Sequence, residues 1–243
     1  MRYRSVVVGV LLLAFACACA GPSVSATPVT GSPSASTASL LRYVALGDSY
    51  TIGTSVGEPD RWPNQLVARL GSTPPSLQLV ANLGVNGRTS GDVIRDQLPQ
   101  LDGLRPDFVS LLIGVNDVVQ GVPTERYRAN VKAILDALLE RLPPDRIVTV
   151  STPDYTVTPA GADYGDPRQQ SVGIQADNAI LAELATARGI PFVDIYDLSL
   201  RAATDGTLVA VDGLHPSGVQ YGLWVERIAP VVAELLGRPD PIP

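Results

Sequence analysis

Asp107-Phe108-Val109-Ser110-Leu111-Leu112-Ile113, with Pro106 before it and Gly114 after it, is the run whose reading decides the fold. A strand with one face in water alternates apolar and polar residues. This one is apolar almost throughout, which fits a strand covered on both faces. Similar short runs occur at Arg42–Leu46 (RYVAL), Leu77–Leu83, Arg146–Ser151 (RIVTVS) and Pro191–Ile195 (PFVDI). Segments with helical spacing lie between them and after the last: Trp62–Leu70, Gly91–Leu101, Gln169–Arg188 closed by Gly189, and Ser217–Leu236. A further long helix opens at Pro123-Thr124-Glu125 and runs to Leu142, where Pro143-Pro144 stops it. Apolar strands alternating with helices imply a parallel sheet of about five strands between two helical layers. The expectation is one three-layer α/β/α sandwich over residues 41–237, with a short tail at 238–243 containing Pro239 and Pro241. In such sheets reactive groups gather beyond the carboxyl ends of the strands.

The 243-residue chain is 45% hydrophobic and 17% charged, enough apolar content for one large core. Its formal net charge of −6, with no basic cluster, argues against a nucleic-acid partner. The N-terminus differs from the rest. Arg2 and Arg4 precede an apolar run from Val6 to Ala16, and small residues continue to Ala20. That is the layout of an export signal over residues 1–20, too short to span a bilayer comfortably. Ala18-Cys19-Ala20 fits cleavage after Ala20, which leaves a cysteine-free secreted protein. Alternatively, the segment resembles a bacterial lipoprotein signal in which Cys19 becomes the lipidated N-terminus, although Ala16 stands where such signals usually carry Leu. A cytoplasmic N-terminal helix is the third reading. Residues 21–40 carry no charge and almost no large apolar side chain. They read as a flexible tether reaching roughly 25 Å, a length that suits a domain held just clear of a membrane. The expectation is export, as a lipoprotein on the outer side of the cell membrane or as a secreted protein.

His215 is the only histidine in the chain, so imidazole chemistry at neutral pH falls within Asp212-Gly213-Leu214-His215-Pro216-Ser217. Asp212, three residues earlier, can hold one ring nitrogen and leave the other free, or the pair can be a plain capped helix start. Gly47-Asp48-Ser49-Tyr50 follows the first strand. There Ser49 is either a nucleophile pointing into the cleft or part of a helix N-cap. Asn82-Leu83-Gly84-Val85-Asn86-Gly87-Arg88-Thr89 follows the second strand, and Gly87 is either an oxyanion donor or a turn residue. Gly114-Val115-Asn116-Asp117 follows the third, and the Asn116 amide suits a developing oxyanion, with a turn or cap as the simpler reading.

Together these four motifs, GDS, a glycine in NxGxxGxT, GxND and DxxH, resemble the GDSL, or SGNH, hydrolase family in order and spacing over the whole folded region. The resemblance implies a flavodoxin-like sheet of order 2-1-3-4-5 and esterase or lipase chemistry. It makes Ser49 the nucleophile, Asp212 and His215 the rest of a Ser-His-Asp triad, and the Ser49 N–H, Gly87 and Asn116 the oxyanion hole. Tyr50 stands where the family carries leucine. Other chemistries lack their motifs: G-x-S-x-G fails at Thr51, a single histidine cannot build H-E-x-x-H, and neither a P-loop nor a dinucleotide fingerprint occurs. No cofactor or metal is implied.

Trp62, Tyr155 and Tyr164 either border the cleft or pack as ordinary aromatics, and Trp224 reads as core. The segment Thr152–Arg168, rich in Pro, Gly and Asp, is a candidate lid or pocket wall. The expected activity is hydrolysis of carboxylic esters, acyl or acetyl, by a lysophospholipase-like or short-chain esterase acting as a monomer. Carbohydrate O-acetylesterase activity on envelope glycans is one alternative. A catalytically silent binding lipoprotein is the other, against which the joint presence of Ser49, Asn116, Asp212 and His215 argues.

Overall fold

The computed structural model describes residues 40–237. The expected signal segment, Cys19, most of the tether and the tail fall outside the described residues. Five strands, β1 (Leu40–Gly47), β2 (Ser76–Asn82), β3 (Phe108–Leu112), β4 (Ile147–Val150) and β5 (Phe192–Val193), form one parallel sheet. Its order is β2-β1-β3-β4-β5, as the family resemblance implied. In chain order the α-helices are α1 (Ser49–Ile52), α2 (Trp62–Leu70), α3 (Ser90–Asp92), α4 (Leu101–Leu104), α5 (Val115–Val119), α6 (Thr124–Leu139), α7 (Pro167–Thr186), α8 (Tyr196–Ser199) and α9 (Gly218–Leu235).

The apolar strands serve two cores at once. Tyr43 and Ala45 of β1, with Phe108 and Leu112 of β3, pack with Trp62 and Leu66 of α2 and Tyr221, Trp224 and Ile228 of α9. Val44, Leu46, Val109 and Leu111 point the other way, toward Val131, Ile134 and Leu135 of α6 and Leu181 of α7. Each large side chain so buried contributes about 1.5–3 kcal/mol relative to exposure. The one polar residue in the middle of β3, Ser110, is fully buried and satisfied by the Tyr43 hydroxyl at 2.7 Å.

The structure departs from the periodicity in three places. Leu40, assigned to the tether, already belongs to β1. The helix expected at Gly91–Leu101 is a broken helical run from Ser90 to Leu104, with a π-type turn at Val93–Gln97 and a 3-10 turn at Leu98–Gln100 between α3 and α4. Pro99 has no N–H for the Arg95 carbonyl, so an i to i−4 ladder cannot pass through it. α6 ends at Leu139, three residues before the expected stop: the Leu142 N–H still reaches the Leu138 carbonyl at 2.9 Å, but Pro143 has no N–H to give the Leu139 carbonyl.

Candidate active site

The site is built from loops leaving the carboxyl ends of β1, β2 and β3, where the chain reverses its direction of travel across the sheet. At the end of β1 the Gly47 peptide is bracketed by a buried side chain. Its N–H donates to Gln97 Oε1 at 3.0 Å, and Gln97 Nε2 donates to its carbonyl at 2.7 Å. The next residue, Asp48, caps α1 by accepting the Tyr50 N–H at 2.9 Å. Capping therefore falls to Asp48, and Ser49 is free to line the cleft. Asp48 is fully buried. Burial pushes its carboxyl up to about 7, against the Tyr50 hydrogen bond and helped by the nearby charge of Asp117.

The β2 loop approaches α1 so closely that a Cβ at Gly84 would sit 2.6 Å from the Ile52 nitrogen and 2.7 Å from the Asp48 carbonyl. Gly87, three residues on, has φ +75, a left-handed conformation that favours glycine. Gln120 Nε2 fixes the Gly87 carbonyl at 2.8 Å. Asn116 comes from α5, just after β3. Its Nδ2 donates to the Arg88 carbonyl at 3.0 Å and makes a long 3.4 Å contact with Asp48 Oδ2. Behind it the buried Asp117 accepts both the N–H and the hydroxyl of Ser90, at 2.8 and 2.5 Å, pinning α5 to the start of α3. Burial raises the Asp117 carboxyl despite these bonds.

Asp212 and His215 occupy a tight loop before α9, closed by Ala210 N–H to His215 C=O at 2.7 Å and by Ser217 N–H to Leu208 C=O at 2.9 Å. His215 Nδ1 is 2.6 Å from Asp212 Oδ2, and the Leu214 and His215 N–H groups both reach Asp212 Oδ1, at 2.9 and 3.0 Å. Ser55 adds a fourth partner, donating to Oδ2 at 2.6 Å. Partial burial alone would push the Asp212 carboxyl up. The bonds from Ser55, Leu214 and His215 outweigh it and hold the group well below the usual carboxylate range.

Ser49, Gly87, Asn116 and His215 all line one cleft of about 270 Å³. Tyr50, Val115, Val119, Tyr155, Tyr164 and Leu214 supply its apolar surface. The Tyr50 ring lies 5.3 Å from the imidazole, and Tyr155 meets Tyr164 edge to face at 6.0 Å. Thr152–Arg168 thus contributes part of the pocket wall, and its Ala160 N–H anchors it to the Gly213 carbonyl at 2.9 Å. Of the three candidate cleft aromatics, Tyr155 and Tyr164 reach the cleft. Trp62 does not: it is fully buried against α9, because its position opening α2 faces the sheet. Trp224 is core, as expected. Among the described residues no three His, Cys, Asp or Glu side chains are grouped as a metal site.

Sequence reading did not find Gln97, Ser55 or the Ser90–Asp117 pair. Gln97 lies inside the segment read as the Gly91–Leu101 helix and Ser55 between the expected elements, and no local spacing links them to partners 50 and 157 residues away.

Comparison with known proteins bears on the fold and on the family. The fold is similar to that of TesA, at 20% identity and a TM-score of 0.63, covering 80% of this chain and 99% of that one. It is similar to a catalytic mutant of the acetylxylan esterase Axe2 from Geobacillus stearothermophilus, at 18% identity and a TM-score of 0.63, covering 83% and 96%. The psychrotrophic esterase EstA from Pseudoalteromonas sp. matches at 18% identity and a TM-score of 0.60, covering 81% and 99%. At these identities the likeness is one of fold. A search of the curated proteins finds no match. The family model described as the GDSL-like lipase/acylhydrolase family matches residues 45–223, a span that contains every residue of the cleft named above. The chain belongs to the GDSL-like lipase/acylhydrolase family, and it is a carboxylic ester hydrolase.

Proposed function

We propose that the protein is a cofactor-independent serine hydrolase of short acyl or acetyl esters, working through Ser49, His215 and Asp212 and an acyl-enzyme intermediate. The observation that carries this reading is the pairing of His215 Nδ1 with Asp212 Oδ2 in the cleft that Ser49 also lines. With Nδ1 held, Nε2 is the nitrogen left to take the Ser49 proton as Oγ attacks the ester carbonyl. The same nitrogen returns the proton to the leaving alcohol as the carbonyl–oxygen bond breaks. Water then repeats the cycle on the acyl-serine and releases the acid. Asp212 fixes the tautomer and stabilises the imidazolium. The Ser49 and Gly87 N–H groups and the Asn116 amide are the proposed oxyanion donors. The weaker Asn116 contact, at 3.4 Å to Asp48, leaves an N–H that can turn to a stronger acceptor.

A cleft near the lower end of the usual ligand-pocket range favours a short acyl group. The likeness to an acetylxylan esterase supports a second reading, O-deacetylation of glycans. Fluorophosphonate labelling tests the chemistry: the wild-type protein is labelled and Ser49→Ala is not, and labelling of Ser49→Ala sinks the assignment. A panel of p-nitrophenyl esters from acetate to palmitate, beside lysophospholipid and acetylated xylan, tests the substrate. Rates are expected to peak at the short esters, and a maximum at palmitate rejects the short-chain reading.

Export with lipidation at Cys19 is proposed from the N-terminal sequence alone, with cleavage after Ala20 as the alternative. Mass spectrometry of the mature N-terminus distinguishes them, since an unmodified Gly21 start excludes the lipid anchor.

A further inference from the structure

Ser55 lies in the turn that follows α1 and has φ +67, a left-handed conformation that strains residues with a Cβ. Among the described residues only Ser55 and Arg105 adopt positive φ without being glycine. At Ser55 the strain coincides with a contact. Its Oγ donates to Asp212 Oδ2 at 2.6 Å, the same oxygen that faces His215 Nδ1 at 2.6 Å. The neighbouring Thr54 Oγ1 donates to Asn86 Oδ1 at 2.6 Å, one residue before Gly87. The turn itself starts from Ser49, whose carbonyl accepts the Gly53 and Thr54 N–H groups at 3.0 and 3.1 Å. Two adjacent hydroxyls thus tie the Ser49 helix to two other loops of the cleft, the one after β2 and the one that carries Asp212 and His215.

We infer that Ser55 is a positioning residue for hydrolysis, its hydroxyl holding the Asp212 oxygen against the imidazole and drawing off part of its negative charge. The inference rests on the roles proposed for Asp212 and His215. A turn with only a structural task is met best by glycine, which takes this conformation without strain. Serine there supplies what glycine lacks, a donor. Without that donor the full charge of Oδ2 acts across the 2.6 Å contact with Nδ1, so activity is expected to fade earlier on acidification. The other titratable groups sensing Asp212 are the phenols of Tyr50 and Tyr221, with Asp48 and Arg61 acting on them in turn. Burial keeps both phenols neutral through the range of the assay. The Ser55 hydroxyl is exposed, so water replaces part of its effect, and the expected changes are modest.

The test is Ser55→Gly, which removes the hydroxyl and relieves the backbone together. The expected result is a fall in kcat of about three- to tenfold with KM little changed. The acidic limb of the kcat/KM profile moves up by about half a pH unit. The melting temperature stays level or rises. Ser55→Asn, tolerated in the left-handed region and carrying an amide donor, restores part of kcat and brings the limb back toward wild type. An unchanged kcat and an unmoved limb in Ser55→Gly overturn the inference, and so does a fall in kcat that tracks lost thermal stability without a shift of the limb. Asp212→Asn and His215→Ala run in the same assay separate the two claims. If either keeps wild-type activity, the proposed triad fails. If both lose activity while Ser55→Gly matches wild type, only the role of Ser55 fails.

Discussion

One carboxylate grips His215 at two points: Asp212 Oδ2 lies 2.6 Å from the imidazole Nδ1, and Oδ1 accepts the His215 backbone N–H at 3.0 Å. The ring and the loop that presents it are therefore set by the same side chain. Changing Asp212 alters the chemistry and the backbone together unless the replacement keeps one function.

Asp212→Asn keeps one. Its carbonyl oxygen can still receive the Leu214 and His215 N–H groups, while its NH₂ faces Nδ1 and forces the wrong tautomer. The loop is expected to hold and kcat to fall by about a thousandfold or more. Thermal melting with ester assays checks this, and a loss of less than tenfold would argue that Asp212 has no part in orienting the base.

Asn116→Ala is expected to lower kcat by about a hundredfold to a thousandfold with little change in KM, since an oxyanion donor acts on charge that develops only in the transition state. Steady-state kinetics on a short p-nitrophenyl ester decide the matter. A rise in KM at constant kcat would make Asn116 a ground-state binding group instead.

Gln97→Leu fills similar space but leaves the Gly47 N–H and C=O without their partners. Each buried orphan costs about 1–3 kcal/mol. A clear drop in melting temperature is expected, together with reduced turnover, because Ser49 lies two residues beyond the peptide that Gln97 holds. Unchanged melting would show that the bracket contributes nothing to stability.

Asp177→Asn addresses pH dependence. Asp177 is buried, and burial raises its carboxyl to about 7, with Asp117 adding to the shift. A raised folded-state pKa means that the folded chain holds the proton more tightly than the unfolded chain. This stabilising contribution is complete below the usual carboxylate pKa and is lost as pH rises toward about 7. Asparagine cannot ionise. Its advantage in melting temperature over wild type should therefore grow from about pH 4 to about pH 7 and then level off. A constant offset across that range would refute the assignment.

The sheet was legible because its strands carry apolar residues on both faces, as Phe108 to Leu112 show most plainly. Ser49, Gly87, Asn116 and His215, singled out from the sequence, lie in segments that follow the first three strands or precede the last helix, and the structure brings them to one cleft. The supports were not. Gln97 sits where a π-type turn rotates it inward, and that turn depends on Pro99 together with packing that no local period encodes. Trp62 shows the converse: a bulky aromatic at a helix start fits either a cleft rim or ordinary packing, and its actual place depends on which way α2 rolls against α9.

The short Nδ1 contact of His215 also makes the molecule its own reporter. A proton held between imidazole and carboxylate at such a distance resonates far downfield in a proton NMR spectrum, clear of the amide envelope. Because no second histidine exists to confuse it, that one line reports the state of the His215–Asp212 pair alone. Its movement on titration, or on phosphonylation of Ser49, would give a direct view of the reaction centre without an isotope label or an added chromophore.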